Sequence, residues 1–339
     1  MQYELRYQVI EPKRQTYQNV IDRLGDQPAS RYLEGTLDVQ PRENFHYRPT
    51  WARDRELYDA RFSALRLTDG YAFLDPRQYY YTPYVTHRAG LHDEFGKTLS
   101  YLEERDLLAK LPEPWHDLVS SVVIPLRHYE SGAQLTSVAG ARFADGTSIE
   151  QCCTFAAFDR IGNAQMLSRV GIAVGGGTAQ TLQAAKQHWL EAEHLQPLRR
   201  LIEEIMIVGD WAEGILAVDL VDRLLYPLVY RDLDETALLG GAGAYSLYAQ
   251  YLWTWFTDQR KWLDALIGVW TADEQHGTAN RQELNRISRV WAPRAADAVG
   301  ALASAIDTRV PEAGAAERLA AAADAQRTRW TEITGGEQA

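Results

Sequence analysis

What most constrains this chain is its hydrophobic rhythm. From about residue 117 to residue 331, apolar side chains recur at three- and four-residue spacing, the repeat of one helix face, in blocks cut by glycine clusters. Leu118, Val122, Val123, Leu126 and Tyr129 begin the pattern. It predicts further helices over residues 148–171, 184–195, 197–230, 245–271, 281–291, 293–306 and 315–331. Runs of Val, Ile and Thr with the two-residue period of a strand are almost absent. The expected fold class is therefore all-α, with helices long enough for a bundle of antiparallel neighbours. Gly175-Gly176-Gly177 and Gly240-Gly241-Ala242-Gly243 read as helix stops. Neither follows a strand, as a phosphate cradle would require. Pro125 and Pro227 fall inside apolar helical stretches and are expected to kink them, because each removes a backbone hydrogen bond.

Residues 1–85 read differently. Turn and extended signals recur at Pro12, residues 26–28, Pro41, Pro49, Asp75-Pro76 and Pro83. Aromatic and basic residues interleave at Phe45-His46-Tyr47-Arg48, Trp51 and Tyr79-Tyr80-Tyr81. A long arm of this composition cannot bury itself, so it must lie on its own domain or on another chain. The expected organisation is an extended arm over residues 1–85 and a helical domain over residues 86–335.

Composition removes several functions. The 339 residues carry 35 Lys and Arg against 46 Asp and Glu, a net charge of −11. Such a surface repels phosphate, which argues against a nucleic-acid or anionic-membrane binder. No run approaches the roughly 18 apolar residues of a membrane span, and the charged first residues do not read as a secretion signal. The two cysteines, Cys152 and Cys153, are adjacent and too few for a disulfide framework, so a reducing cytoplasm is the expected compartment. The 10 Trp and 18 Tyr suit either a Trp-rich core or an interface.

Chemistry-bearing motifs are sparse. A bundle that holds two metal ions needs a Glu from each of two helices and a Glu-x-x-His from each of the other two. Four acidic-x-x-His pairs occur: Glu43 with His46, Glu113 with His116, Glu191 with His194, and Asp273 with His276. The first lies in the arm, the second contains Pro114, the third is in a short helix, and the fourth directly precedes Gly277. None sits inside a long helix, so the plain reading is solvated or structural pairs. Cys152-Cys153 falls in an apolar helix, where cysteines pack as small hydrophobes.

Several blocks, in order, resemble one family. They are Arg31-Tyr32-Leu33-Glu34 through Asn44-Phe45-His46-Tyr47-Arg48-Pro49 and Trp51, Asp75-Pro76-Arg77-Gln78, Pro125-Leu126-Arg127-His128 with Glu130, Asp159-Arg160 with Gly162, Gln165 to Ser168-Arg169, Gln196-Pro197-Leu198-Arg199, Asp210-Trp211, and Leu225-Tyr226-Pro227-Leu228-Val229-Tyr230. Together they are similar to the β subunit of the hydroxylase in bacterial multicomponent phenol and toluene monooxygenases, most of all the phenol-hydroxylase branch. The resemblance implies a ferritin-like helical subunit of an α, β and γ hydroxylase, assembled as a dimer of trimers. It implies a non-haem diiron centre in the α chain, which hydroxylates the substrate with O₂. It also implies a regulatory protein, and a reductase that uses NAD(P)H, FAD and a 2Fe–2S cluster.

The resemblance further implies that the β chain has lost the iron ligands. Set against the α-subunit pattern, Arg160 to Asn163 and Phe256 to Gln259 stand in the two Glu-x-x-His positions. Arg160 there replaces a carboxylate with a fixed cation. Glu130 and Glu213 are candidate relics of the remaining carboxylate positions, their plainer reading being buried or interface polar groups. The arm is then expected to wrap the α chain, with Phe45, Tyr47, Trp51, Tyr79, Tyr80 and Tyr81 as contacts. The rival placement folds these aromatics back on their own bundle. The leading expectation is a non-catalytic scaffolding subunit with no cofactor of its own. The alternatives are a free-standing helical binding module, and a single-chain diiron oxygenase using Glu191, His194, Asp273 and His276.

Overall fold

The computed structural model describes residues 15–25, 30–41 and 47–335. Every regular element among them is helical. The arm contributes the short helices α1 (Gln18–Leu24) and α2 (Arg31–Thr36). Then follow α3 (Tyr81–Glu104), α4 (Glu113–Leu118), α5 (Leu126–Phe143), α6 (Thr147–Val174), α7 (Gln180–Glu191) and α8 (Gln196–Met206). The chain closes with α9 (Trp211–Tyr230), α10 (Asp234–Leu239), α11 (Gly243–Ala272), α12 (Gly277–Arg309) and α13 (Ala315–Thr334).

Four long helices form the centre. α5 packs on α6 and α9, and α11 closes the ring against α9 and α6. α9 is buried along nearly its whole length, which its apolar sequence requires. α3 lies outside against α11 and α6, while α12 and α13 cover α9. Eight of the ten tryptophans are buried, including Trp255, Trp262 and Trp270 of α11. Trp51 is 72% exposed and Trp253 half-buried, so the tryptophans serve the core first.

The structure corrects several expected boundaries. The stretch 197–230 is two helices, because Asp210 caps a new one: its Oδ1 accepts from the N–H groups of Ala212 and Glu213 at 2.9 and 3.2 Å. Residues 281–291 and 293–306 belong to the single helix α12, which runs through Pro293. Pro293 and Arg289 lie on its exposed side, where the carbonyl that proline leaves without an N–H faces solvent. Pro125 does not kink a helix from within. It follows a wide π turn over Val119–Val123 and precedes α5, where the fixed φ of proline suits the entry into a helix. Pro227 does sit inside α9. α3 begins inside the stretch assigned to the arm. Its buried stripe, Tyr84, Arg88, Leu91, Phe95, Leu99 and Leu102, is a regular helix face disguised by a Tyr and an Arg.

The arm is strapped to its own bundle over residues 60–79. Phe62, Leu65 and Phe73 enter the main core. Arg66 pairs through its backbone N–H and C=O with the fully buried side chain of Asn280, at 3.0 and 2.7 Å. Thr68 donates from its N–H and hydroxyl to Asp273, at 2.7 and 2.8 Å.

Candidate functional site

The centre of the four-helix ring is polar. Arg160 of α6 is 2% exposed and reaches two carboxylates on different helices. Its Nη1 donates to Glu130 Oε2 of α5 at 3.1 Å and to Asp222 Oδ1 of α9 at 3.2 Å, and its Nη2 donates to Asp222 Oδ2. Hydroxyls orient both acids. Tyr226 donates to Glu130 Oε1 at 2.6 Å, and Tyr129 donates to Asp222 Oδ1 at 2.7 Å. Asn163 donates its amide to the Tyr226 hydroxyl at 3.1 Å. The face of Trp255 of α11 lies 4.7 Å from the guanidinium carbon, a cation–π contact. Every one of the four core helices thus supplies a side chain to this centre.

Burial opposes the charged guanidinium, but the facing carboxylates of Asp222 and Glu130 overcome it and hold Arg160 well above the ordinary arginine value. For Glu130, burial wins over the pull of Arg160 and raises its carboxyl above the usual range. Removing one partner from such a buried cluster costs about 3–5 kcal/mol, because an uncompensated charge remains.

Of the positions expected to have lost ligands, Arg160 and Asn163 lie in this centre. Phe256 lies beside it, stacked on Tyr226 with ring centroids 5.1 Å apart. Gln259 turns away and accepts from its own helix's Trp262 at 2.9 Å. Glu213 takes its plainer reading, a polar group at a helix contact: it faces α12, where Trp291 Nε1 donates to it at 2.8 Å and Arg286 pairs with it. The α9 carboxylate of the centre is Asp222. The signal for it was an acid in the apolar run Leu-Ala-Val-Asp-Leu-Val-Asp, where an ionisable residue is buried and must be paired.

The acidic-x-x-His pairs fall elsewhere. Phe45 and the pair Glu43 and His46 lie outside the described residues. Glu113 opens α4 on an exposed face. Glu191 is exposed and accepts from Gln187, while His194 Nε2 meets the Ser121 carbonyl at 3.1 Å. Asp273 caps the turn into α12, accepting from the N–H of His276 at 2.8 Å. Glu191, His194, Asp273 and His276 therefore do not converge.

A second buried network ties the arm to α3, α6 and α11. Arg88 forks onto Asp159, at 2.8 and 2.9 Å, and reaches Asp258 at 2.9 Å. Arg77 pairs with Asp75 at 2.9 Å and lies 3.5 Å from Asp258. Tyr79 is buried here and donates to Asp258 at 3.3 Å, which withdraws it from the expected partner contacts. The Cys152 thiol donates to Asp75 at 3.3 Å, and burial pushes its pKa well above the ordinary thiol value, so it is a packed and inert cysteine. Tyr81, by contrast, is 70% exposed; Tyr47 is exposed beside Arg142, and Tyr80 is half-buried.

Could the central site hold a pair of irons? Among the described residues no group of three or more His, Cys, Asp and Glu side chains is placed to hold a metal ion. A guanidinium already binds both central carboxylates. The donor set does not fit a diiron centre. No helix among the described residues is long and apolar enough to cross a membrane.

Four long helices closed around a buried cluster of Arg160, Glu130 and Asp222 define an all-helical bundle, and comparison with known proteins gives its family. The chain belongs to the methane, phenol and alkene hydroxylase family, whose model matches residues 51–274. It is a hydroxylase-component subunit of the monooxygenase type. It is 37% identical over 306 residues to the oxygenase component DmpL of phenol 2-monooxygenase from Pseudomonas sp. (strain CF600), covering 89% of this chain and 91% of that one. It is also 37% identical over 286 residues to the oxygenase component MhpL of phenol 2-monooxygenase from Acinetobacter pittii (strain PHEA-2), covering 84% and 85%. A crystal structure of phenol hydroxylase from Pseudomonas sp. OX1 superposes with a TM-score of 0.81 at 33% identity, covering 91% of this chain and 94% of that one. A chain of toluene 4-monooxygenase, at 18% identity and a TM-score of 0.69 over 93% and 100%, shares the fold. The expected ferritin-like, all-α class is thereby established.

Proposed function

We propose that this chain is the non-catalytic β-type subunit of a phenol- or toluene-type hydroxylase, supporting an α chain that carries the diiron centre and reacts the aromatic substrate with O₂. The observation that carries this reading is Arg160, a buried cation on the two central carboxylates where a ligand set would have to converge. Identity to phenol 2-monooxygenase oxygenase components supports the substrate class. In this reading the chain joins α and γ subunits as a dimer of trimers, and a regulatory protein and an NAD(P)H-dependent reductase with FAD and 2Fe–2S serve the complex.

The physical role is rigidity. A reactive metal site needs supporting helices that do not shift. A partner gains that by burying a face against a stiff neighbour, and aromatic anchors carry most of such binding. The arm leaves Tyr47, Trp51, Tyr80 and Tyr81 as the contacts proposed for the α chain, with Phe45 as a further contact.

The test is co-expression with the candidate α and γ chains, followed by iron analysis and a phenol hydroxylation assay. The expected result is one large complex whose iron and activity disappear when the α chain is omitted and whose activity falls when this chain is omitted. Near-stoichiometric iron in this chain alone overturns the reading.

A further inference from the structure

We infer that Glu130 and Asp222 form a cation site which the chain fills from within, and that the Arg160 guanidinium keeps a divalent metal ion out of it. The inference rests on the geometry of the triad and not on the chain's place in a complex.

Three features carry it. The acids come from α5 and α9 and are each fixed by a tyrosine hydroxyl, Tyr226 on Glu130 and Tyr129 on Asp222. Each acid therefore has a hydroxyl anchor besides Arg160. The guanidinium is an occupant of that space in the chemical sense: it donates to both acids and lies over the Trp255 ring. Yet it fills the space imperfectly, since its Nε finds no partner although buried. Oxygen donors of this kind, with water completing the shell, suit Mn²⁺. Truncating Arg160 opens the volume such an ion and its water need.

The experiment uses the full chain, alone or assembled, as wild type, Arg160→Ala, and Arg160→Ala combined with Glu130→Gln and Asp222→Asn. Mn²⁺ is titrated by calorimetry. Thermal midpoints are read with Mn²⁺, with millimolar guanidinium chloride, and with sodium chloride of equal ionic strength. The expected result is Mn²⁺ binding to Arg160→Ala at least about tenfold tighter than to wild type, which is about 1.4 kcal/mol. The midpoint should rise with Mn²⁺ or guanidinium but not with sodium chloride, and the triple variant should show neither effect. Equal binding by wild type and Arg160→Ala, or binding retained in the triple variant, overturns the inference. If Arg160→Ala is insoluble as made, refolding with and without Mn²⁺ or guanidinium becomes the readout, and no gain in recovered chain overturns it equally. An Arg160→Ala chain that assembles and supports hydroxylation but takes up no Mn²⁺ would overturn this inference and leave the proposed scaffolding role standing.

Discussion

His194 Nε2 donates to the carbonyl oxygen of Ser121, 3.1 Å away, and Pro125, four residues after Ser121, has no N–H to offer that oxygen. The histidine side chain repairs a gap that the proline opened in the backbone ladder. A carbonyl only accepts, so the proton of the neutral ring sits on Nε2. Burial lowers the pKa of His194, in keeping with a neutral donor.

Replacing His194 by Ala should therefore cost stability and nothing else. A partly buried carbonyl left without a donor costs about 1–2 kcal/mol. His194→Gln, which can still donate, should recover part of it. Denaturant unfolding of the three chains checks this, and equal metal content confirms that His194 is no ligand.

Acid lability should centre on His128. Burial lowers its pKa to about 4 from an ordinary 6.5, and its ring stacks on Trp189 at 6.0 Å. Between those two values the unfolded chain binds a proton that the folded chain refuses, so stability is lost as pH falls from 6.5 toward 4. His128→Phe keeps the stack and removes the titration. Its unfolding midpoint should depend less steeply on pH across that window than that of wild type.

Two of the three acids of α9, Asp222 and Glu213, separate the central cluster from the outer surface. Asp222→Ala leaves Arg160 buried with half its counter-charge and should cost about 3–5 kcal/mol. Glu213→Ala touches the Arg286 and Trp291 contacts near the surface and should cost about 1 kcal/mol. Comparable losses from both would mean that the centre is placed wrongly.

Asn280 should act as the buckle of the arm. Its amide also donates to the Trp270 carbonyl at 2.8 Å, besides the two bonds to Arg66. Asn280→Ala orphans the buried Trp270 carbonyl and the part-buried Arg66 backbone groups and should cost about 2–3 kcal/mol. Limited proteolysis should then cut near residues 64–70 before the bundle, and amide exchange should speed there first.

Trp51 and Tyr81 are the proposed partner anchors. Trp51→Ala and Tyr81→Ala should leave the stability of the chain nearly unchanged. Each should weaken assembly with the α chain by about 2 kcal/mol, the scale of an interface hot spot. Binding measured by titration of purified subunits checks this.

Which parts of this structure were legible in the sequence follows from what periodicity reports. It reports faces, so α6, α11 and α13 were visible, each with an apolar stripe. It does not report breaks made by one cap or bridges over one proline. Asp210 split an unbroken apolar run into α8 and α9, and Pro293 failed to split α12. α3 escaped because Tyr84 and Arg88 stand in its buried stripe, held there by Asp159. Arg160 was singled out through the family resemblance alone; the fold then shows it buried on two carboxylates. Asp222 was not, because its meaning depends on Arg160 lying across the bundle, and that pairing is long-range. Within the aromatic arm, composition cannot distinguish Tyr79, buried on Asp258, from the exposed Tyr81 two residues on.

The strap also sets a timetable for biosynthesis. Arg66 and Asn280 are 214 residues apart. At roughly 5–20 residues per second, a ribosome needs about 10–40 s to deliver the second after the first. Through that interval Phe62, Leu65 and Phe73 have no finished core to enter, so the nascent arm is the stretch a chaperone would have to shield. A fusion or truncation that delays α12 would prolong that exposure, and aggregation during translation would be its symptom.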